Sequence, residues 1–396
     1  MDFALTARQV ELQGKAKELA GEFATRAEQH DQEASSPVEN YAALKEAGFY
    51  GLFVPEEFGG IGCGYTDYVV VAEELAQGCP STAVSFNMHA VSIAIFFLAA
   101  QDVSPATKRK IANMVISAGK LFAAIISELG TIGLIPRTSA CSTQARRVEG
   151  GLATNGRKQF GTMADAADIY YVAAHPEESS NPDEALFMLV PRDSPGVRVE
   201  PTWDVLGMRA SRSDTVVFEN CFVDCEHVLD EMAVPNFGEV LASLEAYSNI
   251  SYTAVYLGVA AFWAVIENLK ARRPRGSSES LAHHPYIRRR MALASAQLEA
   301  ARWVLRYASL SADHDGQTQA VLDAFLRAKY VVGEAVTAVT RSALEMGAHA
   351  IYRGSVLERL FRDGALATIQ HPPSEYCLWA LSASELGLDS PAKSTF

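Results

Sequence analysis

Apolar residues recur three and four positions apart through the first 122 residues. Phe3 and Leu5 lead into Leu12, Ala16, Leu19 and Phe23, which share one helical stripe. Val38–Ala47 forms a second amphipathic helix. Residues 51–60 (GLFVPEEFGG) are a short apolar run closed by proline and a glycine pair, the signature of a loop. Helical spacing resumes over 68–75 and 84–98, and Pro105 opens a further helix through Met114. Near Leu121 the period changes. Short apolar runs at 122–127, 169–172, 186–190, 197–199 and 216–223 are separated by glycine, proline and Asn/Asp clusters, which predicts a β-domain over about 123–233. Within it, Glu177–Glu184 is a polar surface loop. From Gly238 the chain reads as helix again, with long periodic stretches at 254–269, 286–308 and 322–346. Their alanine-rich seams predict a packed bundle. No internal repeat or low-complexity segment interrupts this α, β, α order, and residues 389–396 read as a frayed tail.

The stretch 346–374 is the most informative. Leu357, Leu360 and Phe361 are spaced for one apolar helix face, with Glu358, Arg359, Arg362 and Asp363 on the others, and Ala365, Leu366 and Ile369 continue the pattern. Pro372 and Pro373 then stop the helix, since proline has no N–H to donate and clashes with the preceding turn. Gln370 and His371 are left at the helix end, where a polar group can be held over a ligand.

Composition narrows the function. The 396 residues are 49% hydrophobic and 20% charged, enough apolar mass for two or three domains. A net charge of −13 argues against a nucleic-acid surface, and the cationic stretches at 272–275 and 288–290 read as solvated helix faces. Six cysteines, at 63, 79, 141, 221, 225 and 377, form no zinc pattern. They are expected as reduced thiols in a cytoplasmic protein, with Cys221 in a core. The N-terminus is charged and amphipathic, unlike a secretory signal, and the most apolar stretch, Ala90–Ala100, is too short to span a membrane.

Several motifs, in order, resemble those of the acyl-CoA dehydrogenase superfamily. Val54-Pro55-Glu56-Glu57-Phe58-Gly59-Gly60, followed by Val71-Ala72-Glu73-Glu74-Leu75-Ala76, is similar to its N-terminal signature. Ser127-Glu128 resembles the start of its T-E-P-x-x-G-S-D loop, although Leu129–Leu134 departs from the remainder. Asn155–Thr162 resembles its G-x-K-x-W-I-T strand, and Leu206–Ser211 its L-G-x-R-x-S hairpin. Leu357–Asp363 keeps the core of the last conserved helix, after a glycine turn degraded to Gly347-Ala348-His349-Ala350. The resemblance implies an α+β, mostly α fold: an N-terminal helical domain over 1–122, a middle β-barrel or sandwich over 123–235 and a C-terminal four-helix bundle over 236–396.

It also implies a flavin site. Phe160 would pack against the isoalloxazine, Thr162 would lie beside its N5 edge and Ser127 would contact its pyrimidine. Arg275 and Gly347 would serve the ADP half of FAD. Ser277, Pro285 and the lost glycines weaken that half, which leaves FMN or a diffusible reduced flavin open. The family's catalytic glutamate falls on His371, and its other known base position falls on Ser248. No carboxylate stands at either. Gln370 and Ser248 are then substrate-side candidates.

Three expectations follow. In a dehydrogenase of an acyl thioester, His371 is the base that removes the α-proton while the β-hydride goes to flavin N5. In a two-component monooxygenase on an aromatic or similar substrate, a separate reductase supplies reduced flavin, His371 and His89 are proton donors or substrate orienters, and Ser127 stabilises a flavin hydroperoxide. In a non-catalytic subunit of a heteromeric enzyme, neither chemistry is required. The resemblance further implies a homo-oligomer, a dimer of dimers, with an electron-transfer partner or flavin reductase.

Overall fold

The computed structural model describes residues 4–100, 103–128, 141–235, 250–260, 262–346 and 348–388. The N-terminal unit contains α1 (Ala7–Ala24), α2 (Ala27–Glu33), α3 (Val38–Glu46), α4 (Tyr65–Gly78), α5 (Pro80–Ala94) and α6 (Pro105–Ala112). Thr6 caps α1 reciprocally with Gln9, which satisfies two otherwise orphaned amides. Every residue of α5 is buried, and π-helical turns extend α5 at Ile95–Ala99 and α6 at Asn113–Ser117.

The sequence leads into a seven-stranded curled sheet of β1 (Phe122–Ile125), β2 (Gln144–Val148), β3 (Gly151–Gly161), β4 (Ile169–Pro176), β5 (Leu186–Pro191), β6 (Val197–Glu200) and β7 (Asp214–Asp224). The order is β1-β4-β2-β3-β7-β6, with β5 also paired to β4. β1 and β4 run parallel, with Phe122 opposite Ile169, while β3 and β7 form the long antiparallel pair. The strand β2 was not expected, because Gln144-Ala145-Arg146-Arg147-Val148 is mostly polar and only Ala145 is fully buried.

The C-terminal helices are α7 (residues 250–259 of the described chain), α8 (Phe262–Ala271), α9 (Pro285–Asp315), α10 (Gln319–Glu345), α11 (Val356–Gly364) and α12 (Ser374–Leu386). The α11 pattern does not run on as expected. The α-helix ends at Gly364 and a single 3-10 turn, Ala365–Thr368, follows. That tighter winding rotates Ile369 out of the apolar stripe and leaves it exposed.

The expectation of no membrane span stands, but the apolar stretches are longer than the sequence reading allowed. Pro80–Ala99 and Ile250–Ala271 are long and apolar enough to span a bilayer by composition. Their apolar windows are 89% and 81% buried within the protein, so both are core helices.

Candidate functional site

The sheet presents one face through the end of β3. The register between β3 and β7 slips between Lys158 and Gly161, and in that bulge Phe160 takes a left-handed backbone, φ +54°. Its ring is 52% exposed and meets Trp203 edge-on at 6.1 Å. Met163, three residues on, is also left-handed at φ +62°. Two non-glycine residues in this region within four positions are strain that neighbours must hold in place.

Those neighbours are hydroxyls. Thr162 Oγ1 is 2.9 Å from Ser213 Oγ, and Ser213 Oγ is 2.9 Å from Ser211 Oγ, with all three side chains buried. The Met163 amide donates to the Ser211 carbonyl at 3.0 Å.

Beneath this face lies a buried ion pair. Lys158 Nζ donates to Glu128 Oε1 and, at 3.2 Å, to the Ile126 carbonyl. Glu128 also accepts from the Ser142 amide and hydroxyl and from the Thr143 amide. Burial alone would push the Glu128 carboxyl up, but the Lys158 ammonium and these donors bring it below the ordinary value. Ser127, one residue earlier, is half-buried, and its carbonyl accepts from the Gln159 amide of β3 at 2.8 Å.

The Gln370–His371 corner is held from α7 and α10. The Tyr256 hydroxyl donates to Gln370 Oε1. Lys329, only 2% exposed, donates to the Ala367 carbonyl at 2.6 Å, and burial pulls its pKa down to about 8. The Ser374 hydroxyl donates to Glu334 Oε1 at 3.1 Å on the far side of the corner. His371 itself is half-buried, its ring 5.8 Å from that of Tyr376.

Helix α11 ties this corner to the sheet. The Met208 amide donates to Asp363 Oδ1 at 2.6 Å, and Arg362 donates to the Leu206 carbonyl at 3.0 Å. Burial raises the Asp363 carboxyl to about 6. The approach is close enough that a Cβ on Gly207 would meet the Arg362 carbonyl at 2.4 Å. The loop docked in this way is the one that continues into Ser211 and Ser213.

His89 is corrected by the geometry. It is fully buried; Nε2 donates to the Tyr50 carbonyl at 3.0 Å and Nδ1 accepts from the Phe122 amide at 3.0 Å. Desolvation pushes its pKa down to about 4. A neutral imidazole with both nitrogens occupied by backbone joins α5 to β1 and has no proton to offer a ligand. Arg275 is exposed on the turn between α8 and α9, which the contacts above do not bring to the sheet face. Ser248, Gly347 and the 129–134 loop lie outside the described residues.

Tyr256, Lys329 and Ser213 went unnoticed in the sequence, and Ser211 was read only as the end of the Leu206–Ser211 hairpin. Lys158 carried a signal of its own, a charged residue at an inward-facing position of an alternating strand.

An exposed aromatic plane beside a buried hydroxyl, on a strained bulge braced from behind, fits the face of a flavin ring. Models of the acyl-CoA dehydrogenase N-terminal, middle and C-terminal domains match residues 6–118, 123–221 and 250–371 in turn. The chain belongs to the acyl-CoA dehydrogenase family and is a flavoprotein of that kind. It is 29% identical to the 3-sulfinopropanoyl-CoA desulfinase of Variovorax paradoxus, over 98% of this chain and 97% of that one. It is 27% identical to the amino sugar nitrososynthase DnmZ of Streptomyces peucetius, over 87% and 84%. Its fold is similar to that of TdsC from Paenibacillus sp. A11-2, solved with FMN and indole, at a TM-score of 0.84 and 23% identity, covering 98% and 99% of the two chains.

Proposed function

We propose that this protein dehydrogenates an acyl thioester between its α and β carbons, with His371 as the base. The observation that carries this reading is the Gln370–His371 corner, fixed by Tyr256 and Lys329 and joined through α11 to the loop behind Thr162. The flavin, taken here as FAD, supplies the hydride acceptor. The chain's own residues do the rest. Phe160 covers a ring face and excludes water from it. Thr162, its hydroxyl oriented by Ser213, would stand at the ring edge. The His371 imidazole removes the α-proton as a positioned general base. The thioester partner is an acyl-CoA, the class of compound on which the Variovorax desulfinase acts. A separate electron-transfer protein reoxidises the flavin.

The test is substrate-driven bleaching of the bound flavin across a panel of acyl-CoA thioesters. His371→Ala should slow bleaching about 10²- to 10⁴-fold, the range for loss of a positioned base, with flavin content unchanged. Bleaching at the full rate in that variant removes the assignment. The nitrososynthase relative favours a second reading, oxygenation with reduced flavin from a reductase. That reading requires purified protein without bound flavin that takes up reduced flavin tightly. Failure to bind flavin in either redox state would point instead to a subunit that needs a catalytic partner.

A further inference from the structure

Behind the exposed Phe160 ring, one peptide group carries the loop that braces it. Met208 is buried and left-handed, φ +53°. Its carbonyl accepts from Trp203 Nε1 and from the Ser211 amide, both at 3.0 Å. Each donor leads on to the strained bulge. Trp203 meets the Phe160 ring edge-on, while Ser211 holds the Met163 amide and, through Ser213, the Thr162 hydroxyl. Phe160, Met163 and Arg212 are left-handed as well, at φ +54°, +62° and +44°. A β-carbon crowds the carbonyl in that conformation, so a bulky side chain abandons it unless outside contacts keep it there.

At Met208 the outside contact comes from α11. Asp363, itself buried, accepts from the Met208 amide at 2.6 Å. A hydrogen bond to an ionised carboxylate is roughly twice as strong as one between neutral groups. Gly207 permits the approach, because a Cβ there would meet the Arg362 carbonyl at 2.4 Å and hold the loop off the helix. Released from Asp363, the Met208 peptide can turn toward the extended region, which swings its carbonyl away from Trp203 and Ser211 together.

We infer that Asp363 is a positioning residue for the flavin, acting through the Met208 peptide on the Phe160 plane and the Thr162 hydroxyl. This role rests on the reading of Phe160 and Thr162 as the flavin face. Its value follows from where α11 leads. Beyond Gly364 the same segment carries the Gln370–His371 corner. Dehydrogenation takes a proton and a hydride from adjacent carbons, so the base and the flavin edge need a fixed separation. Asp363 registers one against the other. Corner and ring face move as one body while Met208 is held, and drift apart when it is not.

Hydrogen–deuterium exchange and the flavin reduction potential, both on the purified holoprotein, test this role. In Asp363→Ala the amides of 158–163 and 203–213 should exchange about tenfold faster, the equivalent of one charge-assisted hydrogen bond, while those of β5 keep the wild-type rate. The potential should shift by about 30 mV, a tenfold change in the ratio of affinities for oxidised and reduced flavin. Asp363→Asn, whose side-chain oxygen can still accept from Met208, should restore most of both. Gly207→Ala pushes the loop off α11 with Asp363 in place. It should reproduce the alanine result, and it decides the matter if Asp363→Ala does not fold. Unchanged exchange over 158–163, or an asparagine variant as impaired as the alanine one, overturns the role. Phe160→Ala separates the coupling from the face assignment. An unmoved potential in that variant removes the flavin face and the role with it. A potential that moves there but not in Asp363→Ala overturns the coupling alone.

Discussion

At His89 the chain closes around an imidazole from three sides: the Tyr50 carbonyl takes one nitrogen, the Phe122 amide the other, and the Phe86 ring stacks at 5.6 Å. At His371 the chain turns a corner between two helices, and the bracing contacts fall on Gln370, Ala367 and Ser374 around it while the imidazole stays half-buried. The same side chain is a fixed joint in one place and a candidate base in the other. The difference lies in which atoms the neighbours hold. Backbone groups from crossing elements occupy the first ring itself. Side chains of α7 and α10 grip the residues beside the second, which positions the corner that carries the ring.

Changes on the two sides should therefore behave differently. The largest effect belongs to another closed joint, the ion pair beneath the sheet face. Lys158→Met leaves the Glu128 carboxylate buried without its ammonium and should cost about 3–5 kcal/mol in urea unfolding, as breaking a buried ion pair does. A loss below 1 kcal/mol would mean the pair is hydrated in solution.

Next is the acid response of His89. Its folded pKa of about 4 lies below the unfolded value of 6.5, so between those values the unfolded chain binds the extra proton. The stability His89 contributes is complete above pH 6.5 and falls away as pH drops toward 4, by about 3 kcal/mol at 1.36 kcal/mol per unit. Plotted against pH, the stability difference between wild type and His89→Gln should narrow across that window. A flat difference would contradict the closed joint.

The smallest is Tyr256→Phe, which removes one hydrogen bond at the corner. Stability should drop by about 1 kcal/mol. Flavin reduction should slow while flavin affinity holds; an unaltered rate would show that Gln370 is not held for catalysis.

Much of this architecture was legible because burial imposes a period. Leu357 and Leu360 marked α11, and the runs at 169–172, 186–190 and 216–223 marked β4, β5 and β7. β2 escaped because its outward residues are arginines and a glutamine, so no apolar alternation survives. The end of α11 was misplaced because a 3-10 turn keeps apolar residues while changing their angular step. His89 was misjudged for a different reason. Its partners are main-chain groups 39 and 33 residues away, and backbone hydrogen bonding carries no residue code. Lys329 and Tyr256 likewise act on the corner from separate helices, a proximity that only the folded bundle creates.

Arg362 has a consequence for how the molecule comes apart. Its guanidinium grips both oxygens of Asp31 in α2, at 3.0 and 2.6 Å, the Leu206 carbonyl of the sheet domain and Glu358 of its own helix. One side chain thus fastens three units that follow one another in the sequence. Melting any one of them strips a partly buried charge of part of its cage, and the other two inherit the penalty. The three modules then share a fate: they form one cooperative block, and damage near the end of the chain is felt within its first 35 residues.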